Sequence, residues 1–149
     1  MNIQSAPDFT LNDLNGTPFH LSEHLGKGFI VLFFYPKNKT GGCTREACSF
    51  RDRYQDFQDL GALVVGISGD TEESHRSFAA NHRLPYTLLS DPGKKVHQLY
   101  GVKGGLFGLL PGRVTFIIDS GGRIVHRFDS LLRFEQHVLE AIETIRKGS

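Results

Sequence analysis

Cysteine is scarce in this chain, with two in 149 residues, and neither sign of charge dominates: 17 lysines and arginines face 16 acidic residues, for a formal net charge of +1. A basic surplus is the usual footprint of nucleic-acid binding, so its absence argues against DNA or RNA as a partner. Long apolar runs are missing too. The longest, Phe29 to Tyr35, covers seven residues, against the roughly 20 of a membrane-spanning helix, and no membrane association is expected. There is no internal repeat, low-complexity block or interdomain linker. The opening MNIQSAPDF has neither the basic start and apolar core of a signal peptide nor an Arg/Ser-rich transit segment. The expectation is a cytoplasmic protein. In a reducing compartment two close cysteines read as catalytic or metal-binding rather than as a structural bridge. What remains is 39% hydrophobic and 22% charged, the composition of one globular domain over residues 1–149 that buries roughly 70% of its extended surface.

Asn15-Gly16, between short segments at Phe9 to Leu11 and Thr17 to Phe19, predicts an N-terminal β-hairpin. Phe29 to Phe34 is apolar throughout, as a strand covered on both faces would be, and Pro36 ends it. From Cys43 to Leu60, Ala47, Phe50, Tyr54 and Phe57 recur at spacings of three and four, which predicts an amphipathic helix stopped by Gly61. Ala62 to Ile67 reads as a second buried strand, parallel to the first. Thr71 is the expected N-cap of a helix reaching about Arg83, closed by Leu84-Pro85. Val114 to Ile118 and Ile124 to Phe128 form an antiparallel pair around Asp119-Ser120-Gly121-Gly122, and Phe134, Val138, Ala141, Ile142 and Ile145 give a final helix one apolar face. A parallel crossover, an antiparallel pair and a closing helix make an α/β chain of thioredoxin-like fold: a mixed central β-sheet flanked by helices, with an N-terminal β-hairpin.

The most informative segment is Tyr35 to Cys48, YPKNKTGGCTREAC. Cys43 falls in the first turn of the predicted helix, outside its apolar stripe, where unpaired N–H groups and the helix dipole favour a thiolate. Between Lys37 and Arg53 five basic residues face two acidic ones, a local excess of +3 that exceeds the charge of the whole chain. Ionisation alone does not make a fast enzyme. Lowering a thiol from about 8.5 to about 6 raises the thiolate fraction roughly 30-fold at neutral pH, but a Brønsted slope of about 0.4 to 0.5 removes some 10-fold to 18-fold of nucleophilicity. Rate must come from donors that stabilise the transition state. For attack on an O–O bond, the Thr40 hydroxyl and the amides of Gly42 and Cys43 are candidates. Arg113, placed just before the strand Val114 to Ile118, can add a guanidinium.

Cys48 lies five residues after Cys43. On an ideal helix that puts the two Cα atoms roughly 8.6 Å apart and about 140° around the axis, beyond the ~7 Å reach of a disulfide. A bond between them requires local unwinding. The alternative reading of Cys48 is a small core residue beside Ala47.

With Pro36, Thr40 and Cys43 in Pro-x-x-x-Thr-x-x-Cys spacing and Arg113 in GRVTFIID, the chain resembles the peroxiredoxins, specifically the Q type, also called bacterioferritin comigratory protein. APDFTL, VVGIS, LPYTLLSD and LFGLLPGR extend the likeness along almost the whole length. The resemblance implies a thiol peroxidase acting on hydrogen peroxide and alkyl hydroperoxides. Cys43 would be peroxidatic and Cys48 resolving, with thioredoxin or a similar dithiol protein as reductant. Pro36 would shield the thiolate, Thr40 and Arg113 would orient peroxide, and Glu46 would steady the arginine. A monomer without metal or other cofactor is implied. Gly42 departs from the pattern, since many members carry proline there.

Other features carry competing readings. Gly101 to Gly112, with Phe107, Leu109 and Leu110, is either a loop pinned to the core or an apolar lip for organic hydroperoxides or a reductase. Seven histidines and a close cysteine pair allow an alternative, a thioredoxin-like copper carrier, but those carriers usually space their cysteines four apart and neither His126 nor His137 sits in a ligand motif. Thioredoxin-type disulfide exchange would need a Cys-x-x-Cys turn, which is missing. Ser68 and Asp70 read as a loop cap.

Overall fold

An unbroken apolar strand needs cover on both faces, and that requirement organises the molecule. In the computed structural model, which describes residues 4–102 and 112–148, strand β4 (Ile30–Phe34) is buried at every position. Strands β5 (Leu63–Ser68) and β6 (Thr87–Ser90) continue the sheet in parallel on one side. Strands β7 (Val114–Ile118), β8 (Arg123–Asp129) and β1 (Gln4–Ser5) follow antiparallel on the other. The N-terminal hairpin, β2 (Thr10–Asp13) with β3 (Pro18–His20), closes the far edge through β2 and β6. The order is β1-β8-β7-β4-β5-β6-β2-β3, the mixed sheet of a thioredoxin-like fold.

Successive residues of a strand point to opposite faces, and the core divides accordingly. Ile30, Leu32 and Phe34 pack with the hairpin residues Phe9, Leu11 and Phe19 and with Val96 and Tyr100. Val31, Phe33 and Tyr35 pack on the other face with Cys43, Ala47, Phe50, Phe78 and Val138. That second face is covered by helices α1 (Gly41–Asp52), α2 (Tyr54–Asp59), α3 (Glu72–His82) and the last helix, while the short α4 (Lys95–Leu99) lies over the first. The last helix, α5, spans Phe134–Gly148. Gly66 sets the seat of α1. A Cβ there would stand 2.7 Å from the Phe33 ring, the ring that stacks on Phe50 of α1 at 4.3 Å.

Two expectations need correction. The helix predicted over Cys43 to Leu60 starts earlier, at Gly41, and breaks at Arg53 (φ −108°, ψ 13°) into α1 and α2. Phe50 and Phe57 are both fully buried on either side of the break, so the spacing of three and four survives it and hides it. Cys43 does not lie outside the apolar stripe: with Ala47 and Phe50 it forms the buried face of α1, and Cys48 is the half-exposed cysteine. Helix α3 starts after its Thr71 cap and ends with Arg83 in the left-handed region (φ 51°), ahead of Leu84-Pro85. β1, β6 and α4 have no counterpart in the sequence pattern. The Phe107, Leu109 and Leu110 lip lies outside the described residues.

Candidate active site

The loop from β4 to α1 holds the cysteine helix by its entrance. Tyr35 Oη donates to Asn38 Oδ1 at 2.6 Å, and the Asn38 backbone N–H donates to Asp70 Oδ2 at 2.8 Å. Asp70 in turn receives the Ser68 hydroxyl at 2.6 Å, so Ser68 and Asp70 form the loop cap expected of them. Asn38 Nδ2 lies 3.0 Å from His75 Nδ1. Pro36 is half-buried within this loop. Thr40 then caps α1: its Oγ1 accepts from the Cys43 N–H at 3.4 Å and donates to the Lys37 carbonyl at 3.1 Å. The Cys43 amide is therefore engaged by Thr40, and the Thr40 hydroxyl must exchange the Lys37 carbonyl for any substrate oxygen it binds.

Cys43 is 1% exposed, Glu46 0% and Arg113 4%. Arg113 directly precedes β7, and each of its three nitrogens donates a hydrogen bond. Nη1 donates to Glu46 Oε1 at 2.7 Å, Nη2 to Cys43 Sγ at 3.4 Å, and Nε to the Leu131 carbonyl at 2.9 Å. The guanidinium carbon also lies 4.9 Å from the centroid of the Phe134 ring, with that of Arg45 at 5.2 Å. The structure thus brings Cys43, Glu46 and Arg113 together, with Gly42 against them. A Cβ at Gly42 would meet Phe134 Cζ at 2.8 Å and Arg113 Nη2 at 3.2 Å. Phe134 fills the space beside residue 42, and glycine is what lets it do so.

Burial and charge pull the titrating groups in opposite directions. Burial pushes Glu46 up to about 7 against the Arg113 cation, which favours its carboxylate. The carboxylate and the thiol beside it hold Arg113 above its ordinary value despite the cost of its burial. His137, fully buried on α5, is pushed down to about 4 by burial, with Arg113 adding to the shift. Its Nε2 donates to the Ser130 carbonyl at 2.7 Å, which leaves Nδ1 as the acceptor for the Thr115 hydroxyl at 2.8 Å.

Phe134 and His137 escaped sequence reasoning. Phe134 reads as part of the apolar face of α5, yet it stacks on Arg113, and a histidine in a helical stripe carries no signal of its own. Cys48 sits half-exposed within α1, and both cysteines are free thiols. Among the described residues, no three histidine, cysteine or acidic side chains gather as a metal-binding group, so the copper-carrier alternative finds no ligand set there.

Comparison with known proteins adds the family context. The family model described as "AhpC/TSA family" matches residues 3–127. Peroxiredoxin Q of Arabidopsis thaliana, a chloroplastic protein, is 48% identical over 96% of this chain, which spans 66% of that relative's length. The chloroplastic peroxiredoxin Q of Sedum lineare is 46% identical over 95% of this chain and 76% of its own. Among solved structures, the peroxidoxin BcpB of Mycobacterium tuberculosis superposes with a TM-score of 0.89 at 41% identity, covering 97% of this chain and 96% of that one. The bacterioferritin comigratory protein of Xanthomonas campestris, a protein with alkyl peroxide reduction activity, superposes with a TM-score of 0.84 at 26% identity, over 94% and 91% of the two chains.

Proposed function

Because the chain belongs to the AhpC/TSA family and, within it, to the peroxiredoxin Q group, we propose that it is a thiol-dependent peroxidase that reduces hydrogen peroxide and organic hydroperoxides through Cys43. The observation that carries this reading is the Arg113 guanidinium, donating to the Cys43 sulfur at 3.4 Å while Glu46 holds its other arm at 2.7 Å. The thiolate attacks the terminal oxygen of the peroxide. The S–O bond forms as the O–O bond breaks, the sulfur is oxidised to sulfenic acid, and the leaving alkoxide takes a proton to depart as alcohol or water. Arg113 stands where charge develops on these oxygens, in a site that excludes water. The Thr40 hydroxyl, on exchanging the Lys37 carbonyl for a substrate oxygen, and the Gly42 amide supply the remaining donors.

Cys48 then attacks the sulfenic sulfur, and water leaves as an intramolecular disulfide forms. Since α1 holds both cysteines in one helix, at roughly 8.6 Å between ideal Cα positions, the bond requires the first turns of α1 to unwind. A dithiol protein such as thioredoxin reduces the product by exchange. We place the enzyme in the cytoplasm as a monomer, where a thiol-reducing pool suits a cysteine pair that cycles. Cell fractionation and light scattering test these two points.

The decisive experiment is stopped-flow mixing of reduced protein with hydrogen peroxide and with an alkyl hydroperoxide, followed by mass analysis of the thiols. The expected product has lost two hydrogens and maps to a Cys43–Cys48 bond. Serine at position 43 should abolish turnover, and full activity in that variant would overturn the reading.

A further inference from the structure

Glu46 uses one carboxylate oxygen and not the other. Oε1 receives Arg113, while Oε2 is buried without a hydrogen-bond partner. The group facing Oε2 is His137 Nδ1, at 3.6 Å. With Nε2 of that ring donating to Ser130, Nδ1 carries the one lone pair that accepts the Thr115 hydroxyl at 2.8 Å, and the Oε2 lone pairs facing this same atom in a dry interior are repelled unless a proton on Oε2 joins Thr115 in a three-centre bond to it.

Charge counting points the same way. A Cys43 thiolate and a Glu46 carboxylate would place two anions on the single Arg113 cation, all essentially excluded from water, leaving an uncompensated buried charge. One proton on Glu46 removes it. Once Cys43 is a neutral sulfenic acid, the imbalance reverses: Arg113 then needs the Glu46 carboxylate as its counter-ion. The other groups facing this cluster do not change the balance. Tyr35 and Tyr86 feel Glu46, but burial holds both phenols well above their ordinary range and neutral. Asp129 acts on His137 from an exposed position at the end of β8.

We infer that Glu46 and His137 form a buried proton store: the pair holds one proton on Glu46 Oε2, aimed at His137 Nδ1, while Cys43 is a thiolate, and gives it up when Cys43 is oxidised. The step balances as thiolate, hydroperoxide and Glu46 carboxylic acid going to sulfenic acid, alcohol and Glu46 carboxylate. The proton required by the alkoxide is thus matched by the one the pair releases, and the cluster is neutral before and after. His137 is a positioning residue in this scheme, since it touches neither substrate nor sulfur. The titration behaviour agrees, with Glu46 near 7 and His137 near 4.

The inference rests on the peroxidase reading, so one measurement is chosen that needs no turnover. Infrared difference spectra of the reduced protein should show the C=O band of a protonated, buried carboxyl group that titrates near pH 7. That band should be absent in Glu46→Gln, shift in His137→Leu, and return in His137→Asn, whose side-chain oxygen replaces Nδ1. Reduced wild-type protein without such a band overturns the proposal whatever its activity. The second measurement follows indicator absorbance in weak buffer at about pH 6 on adding one equivalent of peroxide. Wild type should take up about zero protons and Glu46→Gln about one. Equal uptake in the two overturns the proposal, while peroxide consumption recorded in the same trace reports separately on the peroxidase.

Discussion

Arg113 illustrates what a residue's chemistry demands of its geometry. A guanidinium can serve a carboxylate, a sulfur and a carbonyl at once because its five N–H groups form a rigid planar fork, which an ammonium cannot imitate. Arg113→Lys should therefore keep the charge and lose the donors, lowering kcat/KM for hydrogen peroxide by roughly 10²-fold to 10³-fold, with urea stability reported alongside. Gly42 gives a finer test. A methyl group there meets the far end of the Phe134 ring at 2.8 Å, and that ring can swing away more easily than backbone can shift. Gly42→Ala should fold but move Phe134 off Arg113, at a cost of up to about 1 kcal/mol, or a few-fold in kcat/KM. In a Phe134→Ala background the same change should be nearly silent, and a double-mutant cycle measures the coupling.

At the scale of an element, the proposed mechanism asks α1 to be firm enough to aim a sulfur and weak enough to unwind. Its first turn carries two glycines and a long Thr40 cap, both signs of a turn that opens at low cost. Further along it is held. Tyr86 Oη donates to the Ala47 carbonyl at 2.6 Å, and Arg51 Nη1 donates to the His82 carbonyl at 2.8 Å. The Tyr86 bond sits beside Cys48 and must break if unwinding reaches that residue. Tyr86→Phe should accelerate disulfide formation several-fold, since a buried hydrogen bond contributes about 1 kcal/mol. Rapid-quench mass analysis of the sulfenic acid checks this, and an unchanged resolving rate would show that α1 opens only from its first turn. Amide exchange across residues 41–52 should be faster in the disulfide form.

Over the whole molecule, buried ionisable groups tie stability to pH. Glu46 titrates higher in the folded chain than unfolded, about 7 against 4.5. Its stabilising contribution is therefore complete below about pH 4.5 and lost as pH rises through about 7. His137 is lowered from 6.5 to about 4, and burial lowers His75 as well. For these the unfolded chain binds more protons, so stability falls as pH drops below about 6.5. The two effects oppose one another between about pH 4.5 and 6.5, and above that Glu46 acts alone. The urea midpoint of the reduced protein should decline between pH 6.5 and 8, and Glu46→Gln should remove that decline.

What the sequence determined by itself was local. Apolar runs and spacings of three and four predicted β4, β5 and α5, the Thr71 cap and Leu84-Pro85 predicted α3, Asn15-Gly16 predicted the hairpin, and Thr40 before Gly41-Gly42-Cys43 marked a helix start, because periodicity and capping depend on near neighbours. The break at Arg53 stayed hidden because Phe50 and Phe57 keep the same stripe on both sides. The short strand β6 needs the sheet beside it to be recognisable at all. Only the tertiary structure could decide that Phe134 leaves its helix stripe to cover Arg113 and that Glu46 Oε2 faces His137. Those meetings join α1, the residue before β7 and α5 across separations of 21 positions (Arg113 to Phe134) and 91 positions (Glu46 to His137), and the burial that sets their charges exists only once the sheet and helices have closed over them.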